Sequence, residues 1–354
     1  MTLEPSGRST NDPAIGDRLK LARAAAGLSL RGLEDRINKR VTAQAIGKYE
    51  RNETLPSAGV LAALSQALEV PIDFLFGSDE LLTLEAVEFR SRSAFGWREA
   101  GRLRAAVVDR IERYREVEAV LGLSALAWHR PRVARYPVTD LADAERAARS
   151  VRREWNLGLS GIANLVELLE ERGIKVLQLE LPDKLAGIAA WVRPPSGPAL
   201  PVVVVNQKHP GERQRFTLAH ELGHLVLSLE HSTNSERAAD RFAGAFLIPA
   251  EALWAEVGKR RTHLGLDELL LLKNLLGASV QTITYRCLEL GIISQAHHRR
   301  LFRQFAEKGW RKPPYPELGK LDPERSTRLE RLCWRAISEE KITETRAEAV
   351  LGRS

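Results

Sequence analysis

The sequence around residue 220 places two histidines and a glutamate on an otherwise apolar stretch. His220 and His224 are four residues apart within residues 215–227, and Glu221 directly follows the first histidine. Residues four apart share one face of a helix, so both imidazoles can reach one metal ion. Buried polar groups need partners, and a metal ion can be that partner. The spacing therefore predicts a buried helix with a metal centre.

A catalytic zinc centre needs a third protein ligand and leaves its fourth position to water. The segment after the helix offers Glu230, His231, Glu236 and Asp240. Glu236 and Asp240 are one helical turn apart, so Glu236 can bind the metal while Asp240 hydrogen-bonds a ligand histidine. Glu230 and His231 come where the chain must turn, and they remain alternatives, with His231 as a substrate-side group.

The glutamate between the histidines suits a catalytic base. Glu221 points beside the metal, where its carboxylate can take a proton from bound water. The zinc-bound water would have a pKa of about 7. The same ligands tolerate other divalent metals, so we expect Zn²⁺, with Mn²⁺ as the alternative.

Residues 161–249 resemble the ImmA/IrrE family of metallopeptidases (the DUF955 type). The family joins a short β-unit and a His-Glu-x-x-His helix to the pattern Glu-x-x-Ala-x-x-Phe-Ala-x-x-Leu-Leu-x-Pro. Here the second pattern reads Glu236, Ala239, Phe242, Ala243, Phe246, Leu247 and Pro249. Phe246 replaces the first Leu, which changes a volume within an apolar face and leaves the ligand positions intact.

This resemblance implies a single-zinc, gluzincin-like site. Its ligands would be His220, His224 and Glu236, and Glu221 would be the general base. The best-understood members of the family cleave a repressor protein and so switch on genes.

Short helices separated by turns are predicted between residues 14 and 78. Ser29 and Thr42 each precede such a helix and are suited to cap it. The region resembles the Xre/Cro-type helix-turn-helix domain, which implies that the helix after Thr42 enters the major groove of DNA. The implied contacts are Ala43, Gln44 and Lys48 to bases, and Arg40, Thr42 and Arg51 to phosphates.

Net charge gives this DNA-binding interpretation only weak support. The chain has 53 Lys and Arg against 46 Asp and Glu, a net charge of +7. Residues 1–77, however, hold ten basic against nine acidic residues. Phosphate contact needs local cations, but strong DNA-binding domains are usually more basic. A helical protein-interaction module of the same fold is therefore the alternative for this region.

The pattern of helical and β-like segments predicts a mainly α, multi-domain protein. An all-α helix-turn-helix domain would precede an α+β peptidase domain, whose small sheet uses strands near 174–181, 186–192 and 201–206. The apolar helices of the C-terminal region favour packing over contact with DNA or a partner. The expected divisions are a disordered tail (1–13), the helix-turn-helix domain (14–78), a helical connector (79–155), the metallopeptidase domain (156–262) and a helical region with helix-turn-helix-like units (263–354).

The sequence also indicates in which cellular compartment the protein is expected. No window approaches the ~20 apolar residues that span a bilayer, and residues 1–12 lack an apolar export signal. Cys287 and Cys333 are far apart and have no metal-like spacing. We therefore expect a cytoplasmic protein that does not contact membranes, with both cysteines reduced and packed as small apolar residues.

These observations predict a DNA-binding regulatory zinc endopeptidase that hydrolyses a peptide bond in a repressor or antitoxin. The alternative is a helix-turn-helix transcription regulator or antitoxin whose peptidase-like domain senses a metal or ligand without proteolysis. The expected partners are DNA and the regulator that is cut, and the sequence leaves open whether the chain forms a homodimer.

Overall fold

The computed structural model describes residues 15–68, 70, 72–75, 83–86, 97–123, 128–135, 137–194, 197–230, 233–312 and 315–352. The predicted tail and His231 lie outside the described residues. The described chain is mainly helical with small sheets, which confirms the predicted fold class. Contacts divide the chain into two compact units, and the predicted domain boundaries remain predictions. The first unit is Met1–Leu123 with Trp191–Ala199 and Glu348–Ser354, and the second is Ser124–Ala190 with Leu200–Ala347.

The first unit begins with five helices separated by turns. Ser29 and Thr42 cap two of them, because each hydroxyl accepts a hydrogen bond from the backbone three residues later. Both predicted caps are therefore confirmed. The elements are α1 (Ile15–Ala25), α2 (Leu30–Arg36), α3 (Ala43–Glu50), α4 (Ala58–Leu68), α5 (Ile72–Leu75), β1 (Thr83–Ala86) and α6 (Trp97–Val120).

An apolar core holds these helices together, with Leu19, Leu33, Ile46 and Leu64 fully enclosed. One cation is buried beside it. Arg18 is 1% exposed, and its guanidinium donates to the Phe74 carbonyl and to Glu112 of α6. Because a buried charge needs a partner, this ion pair fixes α6 against α1.

The second unit carries the predicted sheet and most of the helices. Strand β5 lies between β3 and β4, and β3 pairs with β5 in parallel, with Lys175 opposite Val202. The elements from residue 137 onward are β2 (Pro137–Val138), α7 (Leu141–Glu154), α8 (Leu165–Glu171), β3 (Lys175–Leu179), β4 (Gly187–Arg193), β5 (Leu200–Asn206), α9 (Gly211–Val226), β6 (Ser228–Leu229), α10 (Ser235–Leu247), α11 (Ala250–Val257), α12 (Leu266–Leu276), α13 (Val280–Glu289), α14 (Gln295–Glu307), α15 (Arg328–Ser338) and α16 (Glu344–Leu351). The last residues of β4, from Trp191, and of α16, from Glu348, are assigned to the first unit.

Helices α9 and α10 pack closely at Gly223. A β-carbon at this position would lie 3.3 Å from the Ala239 Cα and from Phe242. The missing side chain thus lets the two backbones approach. Through this contact, α10 is brought alongside the face of α9 that carries the histidines.

An irregular segment, residues 317–327, runs across the starts of α8 and α9, and we call it the C-terminal strap. The backbone N–H of Gly211 donates to Leu321, and a Cβ on Gly211 would lie 2.4 Å from the Asp322 carbonyl oxygen. Glu324 accepts from the backbone N–H groups of Leu165 and Val166 at 2.7 and 3.0 Å. It also pairs with Arg215 of α9. The strap therefore ties the first turns of both helices.

A buried acid joins the strap to α8. Glu170 is 2% exposed, and its Oε1 accepts a hydrogen bond of 2.8 Å from Ser326. Burial raises its pKa to about 7, and the negative charge of Glu167 adds to the rise. The folded protein therefore holds a proton here that the unfolded chain loses near pH 4.5.

The free energy of unfolding should consequently fall as the pH rises from about 5 to 7. Glu170→Gln removes this loss, so the variant should gain about 1 to 3 kcal/mol over wild type at pH 8 and almost nothing at pH 4. Urea unfolding at both pH values measures the difference. Glu171→Gln is the matched control, because this neighbour is exposed. An equal gain at both pH values would contradict the assignment.

Other features of the described residues agree with the sequence. Cys287 and Cys333 are buried, and within the described residues neither forms a disulfide. No helix in the described ranges combines the length and apolar character that a membrane-spanning segment requires.

Candidate metal centre and candidate DNA interface

Helix α9 holds both predicted imidazole ligands on one side. The Nε2 atoms of His220 and His224 are 3.0 Å apart. Their side chains are 10% and 3% exposed, so both rings are largely removed from water. Apolar neighbours on the rest of the helix, such as Leu222 and Leu225, are buried in the core. The helix is therefore fixed by its apolar faces, and the two rings are held in a common orientation.

Glu236 reaches the same point from α10. Its Oε2 is 3.7 Å from the His220 Nε2, and its Oε1 is 3.6 Å from the His224 Nε2. Asn234 caps α10 by accepting from the backbone of Arg237, which places Glu236 in the first turn. The three ligand atoms lie within 4.8 Å of one another. Within the described ranges this is the one such group of His, Cys, Asp and Glu, and Glu230 is not part of it.

The chemistry of these groups fits a cation at their centre. Asp240 Oδ1 lies 2.8 Å from the His220 Nδ1, and a carboxylate can only accept there, so Nδ1 carries the ring proton. The Nε2 of His220 then presents a lone pair toward His224 and Glu236. Burial by itself would lower the pKa of His220, but the Asp240 hydrogen bond and the charges of Glu221, Asp240 and Glu236 raise it. The surroundings thus favour positive charge, which a divalent cation supplies.

In the first unit, α3 presents the side chains predicted to contact bases. Gln44 and Lys48 are exposed, Ala43 is half-buried, and Ile46 on the opposite side is buried in the core. Thr42 caps the helix and its side chain remains exposed. The arrangement leaves one face of α3 free to approach a partner.

The two arginines predicted to contact phosphates flank this helix, and both are exposed. Arg51 lies 2.5 Å from Glu53 in an ion pair, so a phosphate would have to compete with that carboxylate. Arg40 precedes the capping residue Thr42. The structure therefore brings all six predicted residues to α3 and its two ends.

Two family models match the chain. The helix-turn-helix model matches residues 19–75, and the peptidase M78 model, described as the IrrE N-terminal-like domain, matches residues 169–288. The chain carries a helix-turn-helix domain and an IrrE-like domain. The second match includes every residue of the candidate metal centre. Comparison with curated proteins gave no match, and neither did comparison with solved structures.

A glycine that the sequence analysis missed shapes the IrrE-like domain beside Glu221. Gly187 begins β4, and a Cβ there would lie 2.4 Å from Thr217 and 2.8 Å from the Val204 carbonyl oxygen. Glu221 itself is 4% exposed, with its Cγ 3.5 Å from that point. Only glycine lets β4 approach α9 so closely. A lone glycine at the start of a strand was the available signal.

Asp240 can be tested apart from the ligands. Asp240→Asn keeps the shape but weakens the hold on the His220 ring, so we expect metal affinity to fall about 10- to 100-fold. Titration of the apoprotein with Zn²⁺ against a competing chelator measures the change. Glu230→Gln is the matched control, since this exposed carboxylate lies outside the cluster. Equal losses in both variants would show that the hydrogen bond to His220 is irrelevant.

Proposed function

We propose that this protein is a DNA-binding regulator whose IrrE-like domain is a zinc-dependent endopeptidase. It would hydrolyse a peptide bond in a partner regulator, a repressor or an antitoxin. The observation that carries the proposal is the convergence of His220, His224 and Glu236 beside Glu221 on the buried helix α9. Three protein ligands and a neighbouring carboxylate form the minimal set for metal-assisted hydrolysis.

His220, His224 and Glu236 would hold the ion, and Asp240 would keep the His220 ring in its metal-binding tautomer. A bound zinc ion would polarise the peptide carbonyl and lower the pKa of its water to about 7. Mn²⁺ is the alternative metal, because the same ligands accept it.

Glu221 would transfer the proton of the attacking water to the leaving amine. Its carboxylate is the acid next to the first ligand histidine, and it is nearly inaccessible to bulk water. A carboxylate in that place accepts a proton from the attacking water and then delivers it to the leaving amine. The burial of Glu221 helps, because few other bases or waters can compete with it.

The choice of a regulator as substrate follows from the helix-turn-helix domain in the same chain. A peptidase linked to a DNA-binding domain meets DNA-bound proteins at a raised local concentration. General digestion of proteins would gain nothing from such a link.

A direct test compares newly formed protein N-termini in cells that express wild type or Glu221→Gln. We expect one or a few new N-termini with wild type, located in a transcription regulator or antitoxin, and none with the variant. Incubation of that protein with the purified zinc-loaded enzyme then checks direct cleavage.

The same cells test the alternative, a metal or ligand sensor without proteolysis. If the regulated genes respond normally in the Glu221→Gln strain but not in an Ala43, Gln44 and Lys48 variant, the peptidase proposal fails. The Glu221 carboxylate favours hydrolysis, because a sensor needs no base beside its metal.

A further inference from the structure

The excess positive charge of the chain lies in one segment of the second unit. Residues 258–312, the basic segment, contain eleven Lys and Arg against four Asp and Glu, a surplus of seven. The remainder of the chain holds 42 of each, so the basic segment accounts for the whole net charge of +7. The helix-turn-helix domain, by contrast, is close to neutral. Electrostatic attraction for a polyanion is therefore concentrated outside it.

Two cations of the basic segment are structural. Lys273 is buried between Glu212 and Glu317, and Arg286 is buried against Glu145. Paired charges of this kind hold the fold and are not available to a ligand. The solvent-exposed positive charges belong to other residues of the basic segment, above all to those of α14.

Three arginines stand on the outer side of α14. Arg299, Arg300 and Arg303 are all exposed. Residues three and four apart share one face of a helix, so Arg303 lies next to both of the other two. In the part of the chain that the structure describes, no carboxylate lies within ion-pair distance of any of the three. Like charges this close repel each other, and an anionic partner would relieve that repulsion.

Helix α7 of the same unit shows the ordinary arrangement. It also exposes three arginines, Arg146, Arg149 and Arg153. Arg146 pairs with Asp143, and Arg149 lies 3.4 Å from Glu251. Two of the three exposed arginines of α7 are thus paired with a carboxylate, whereas none of the three on α14 is, within the described residues.

More cations lie next to the arginines of α14. The loop 258–264 packs on the start of α14, where the backbone N–H of Leu264 donates to His297 and Arg300 contacts His263 at 3.4 Å. This loop carries Lys259 and Arg260, both exposed. The basic face is therefore extended by two residues beyond the helix.

An aromatic group borders the other side of this face. The Tyr285 ring contacts His298 and Phe302, and Arg311 lies over the Phe302 ring at 5.6 Å. The tyrosine is 52% exposed, which leaves its hydroxyl available to donate. His298 is 7% exposed and, within the described structure, neither ring nitrogen has a hydrogen-bond partner. Stacked rings restrict the motion of Arg311, so less entropy is lost when it binds an anion.

We propose that this surface, the outer face of α14 with Lys259, Arg260, Tyr285 and Arg311, binds the phosphate backbone of duplex DNA. Arginine forks and tyrosine hydroxyls are typical donors to phosphate oxygens. Duplex DNA is favoured over an acidic protein because the same chain carries a helix-turn-helix domain, which already selects DNA as its partner. The surface supplies sequence-independent affinity that the near-neutral helix-turn-helix domain lacks. The proposal does not depend on peptidase activity.

The test measures binding of the full-length protein to duplex DNA of mixed sequence at several KCl concentrations, by fluorescence anisotropy. The reference protein and all variants carry Gln44→Ala and Lys48→Ala, which removes the predicted base contacts of the helix-turn-helix domain. Replacing Arg299, Arg300 and Arg303 with Ala should weaken binding and reduce the slope of log affinity against log salt by about 2.7, since three phosphate contacts are lost.

The matched control replaces Arg146, Arg149 and Arg153 of α7 with Ala, which removes the same charge from another helix. It should leave the slope almost unchanged. A triple lysine variant of α14 keeps the charge and should retain most of the binding, which excludes misfolding as the cause of the loss. Equal losses in the α7 and α14 alanine variants would overturn the proposal.

Two further ligands decide the class of partner. Tighter binding to single-stranded DNA of equal length would show that the aromatic group stacks on bases, and the duplex assignment would be wrong. Tighter binding to poly-glutamate than to duplex DNA, lost in the α14 alanine variant, would assign the surface to an acidic protein instead.

Discussion

Replacing Glu221 with Gln is expected to slow peptide hydrolysis about a hundredfold to ten-thousandfold, the usual contribution of a general base. The amide has the size of the carboxylate and can make neutral hydrogen bonds, but it cannot accept the proton from water. Glu221 is 4% exposed and lies beside Gly187, so a residue of the same volume is needed to keep β4 in place. The three ligands are untouched, and the variant should therefore still bind its metal.

Two measurements on the same preparation separate the roles. Metal content after dialysis reports the ligands, and the cleavage rate of the substrate found by N-terminal labelling reports the base. Glu230→Gln removes a carboxylate outside the cluster and should cleave like wild type. Glu221→Gln that cleaves at the wild-type rate would remove Glu221 from the mechanism. If the variant loses both its metal and its cleavage activity, Glu221 is needed to maintain the structure of the site instead.

Replacing Lys273 with Met is expected to lower the free energy of unfolding by about 3 to 5 kcal/mol. The ammonium group is 0% exposed and lies 2.8 Å from both Glu212 and Glu317. It also donates to the Leu318 carbonyl at 3.2 Å. Without Lys273, two buried carboxylates face each other with no cation, and the protein must either protonate them or open the site.

The control removes the two carboxylates that Lys273→Met would leave without a cation. A triple variant, Lys273→Met with Glu212→Gln and Glu317→Gln, removes all three charges and should recover most of the stability. Urea unfolding at pH 7 measures all variants. Since Glu212 lies in the first turn of α9, zinc affinity should fall in the single variant and return in the triple one. A single variant as stable as wild type would show that the charges do not hold the strap.

The grouping of the residues in the candidate metal centre was predictable because these residues are local in sequence. His220, Glu221 and His224 fall on one helix, and the next helix supplies Glu236 and Asp240. Helical spacing alone therefore fixes which side chains share a face. The structure brings His220, His224 and Glu236 together, and Asp240 contacts His220, while their roles at a metal ion remain predictions.

Local chemistry also explains why the helix caps of the first unit could be predicted. Capping needs only a hydroxyl and a backbone N–H three residues away, so Ser29 and Thr42 could be recognised from the sequence. The pairing of Arg51 with Glu53 was not foreseen, although the two are neighbours. Charged side chains on a surface have many conformations, and sequence spacing does not choose among them.

Long-range pairs could not be predicted. Lys273 meets residues 61 and 44 positions away, and Arg215 meets Glu324 over 109 positions. Each charge looks like an ordinary surface residue until the fold buries it. Gly187 was missed for the same reason, because its importance comes from α9 and β5, which follow it in the chain.

The C-terminal strap has a consequence for biosynthesis. Arg215 and Lys273 are made long before Glu324 and Glu317, their partners in the fold. A nascent chain still lacking the strap leaves the burial of Arg215 uncompensated and gives Lys273 only one of its two carboxylates, Glu212. The start of α9 is therefore not yet fixed in its final position. The centre at His220 and His224 is therefore completed only after residues 317–327 have left the ribosome. A chain assembled in this order completes its candidate metal centre after its helix-turn-helix domain has already had time to fold.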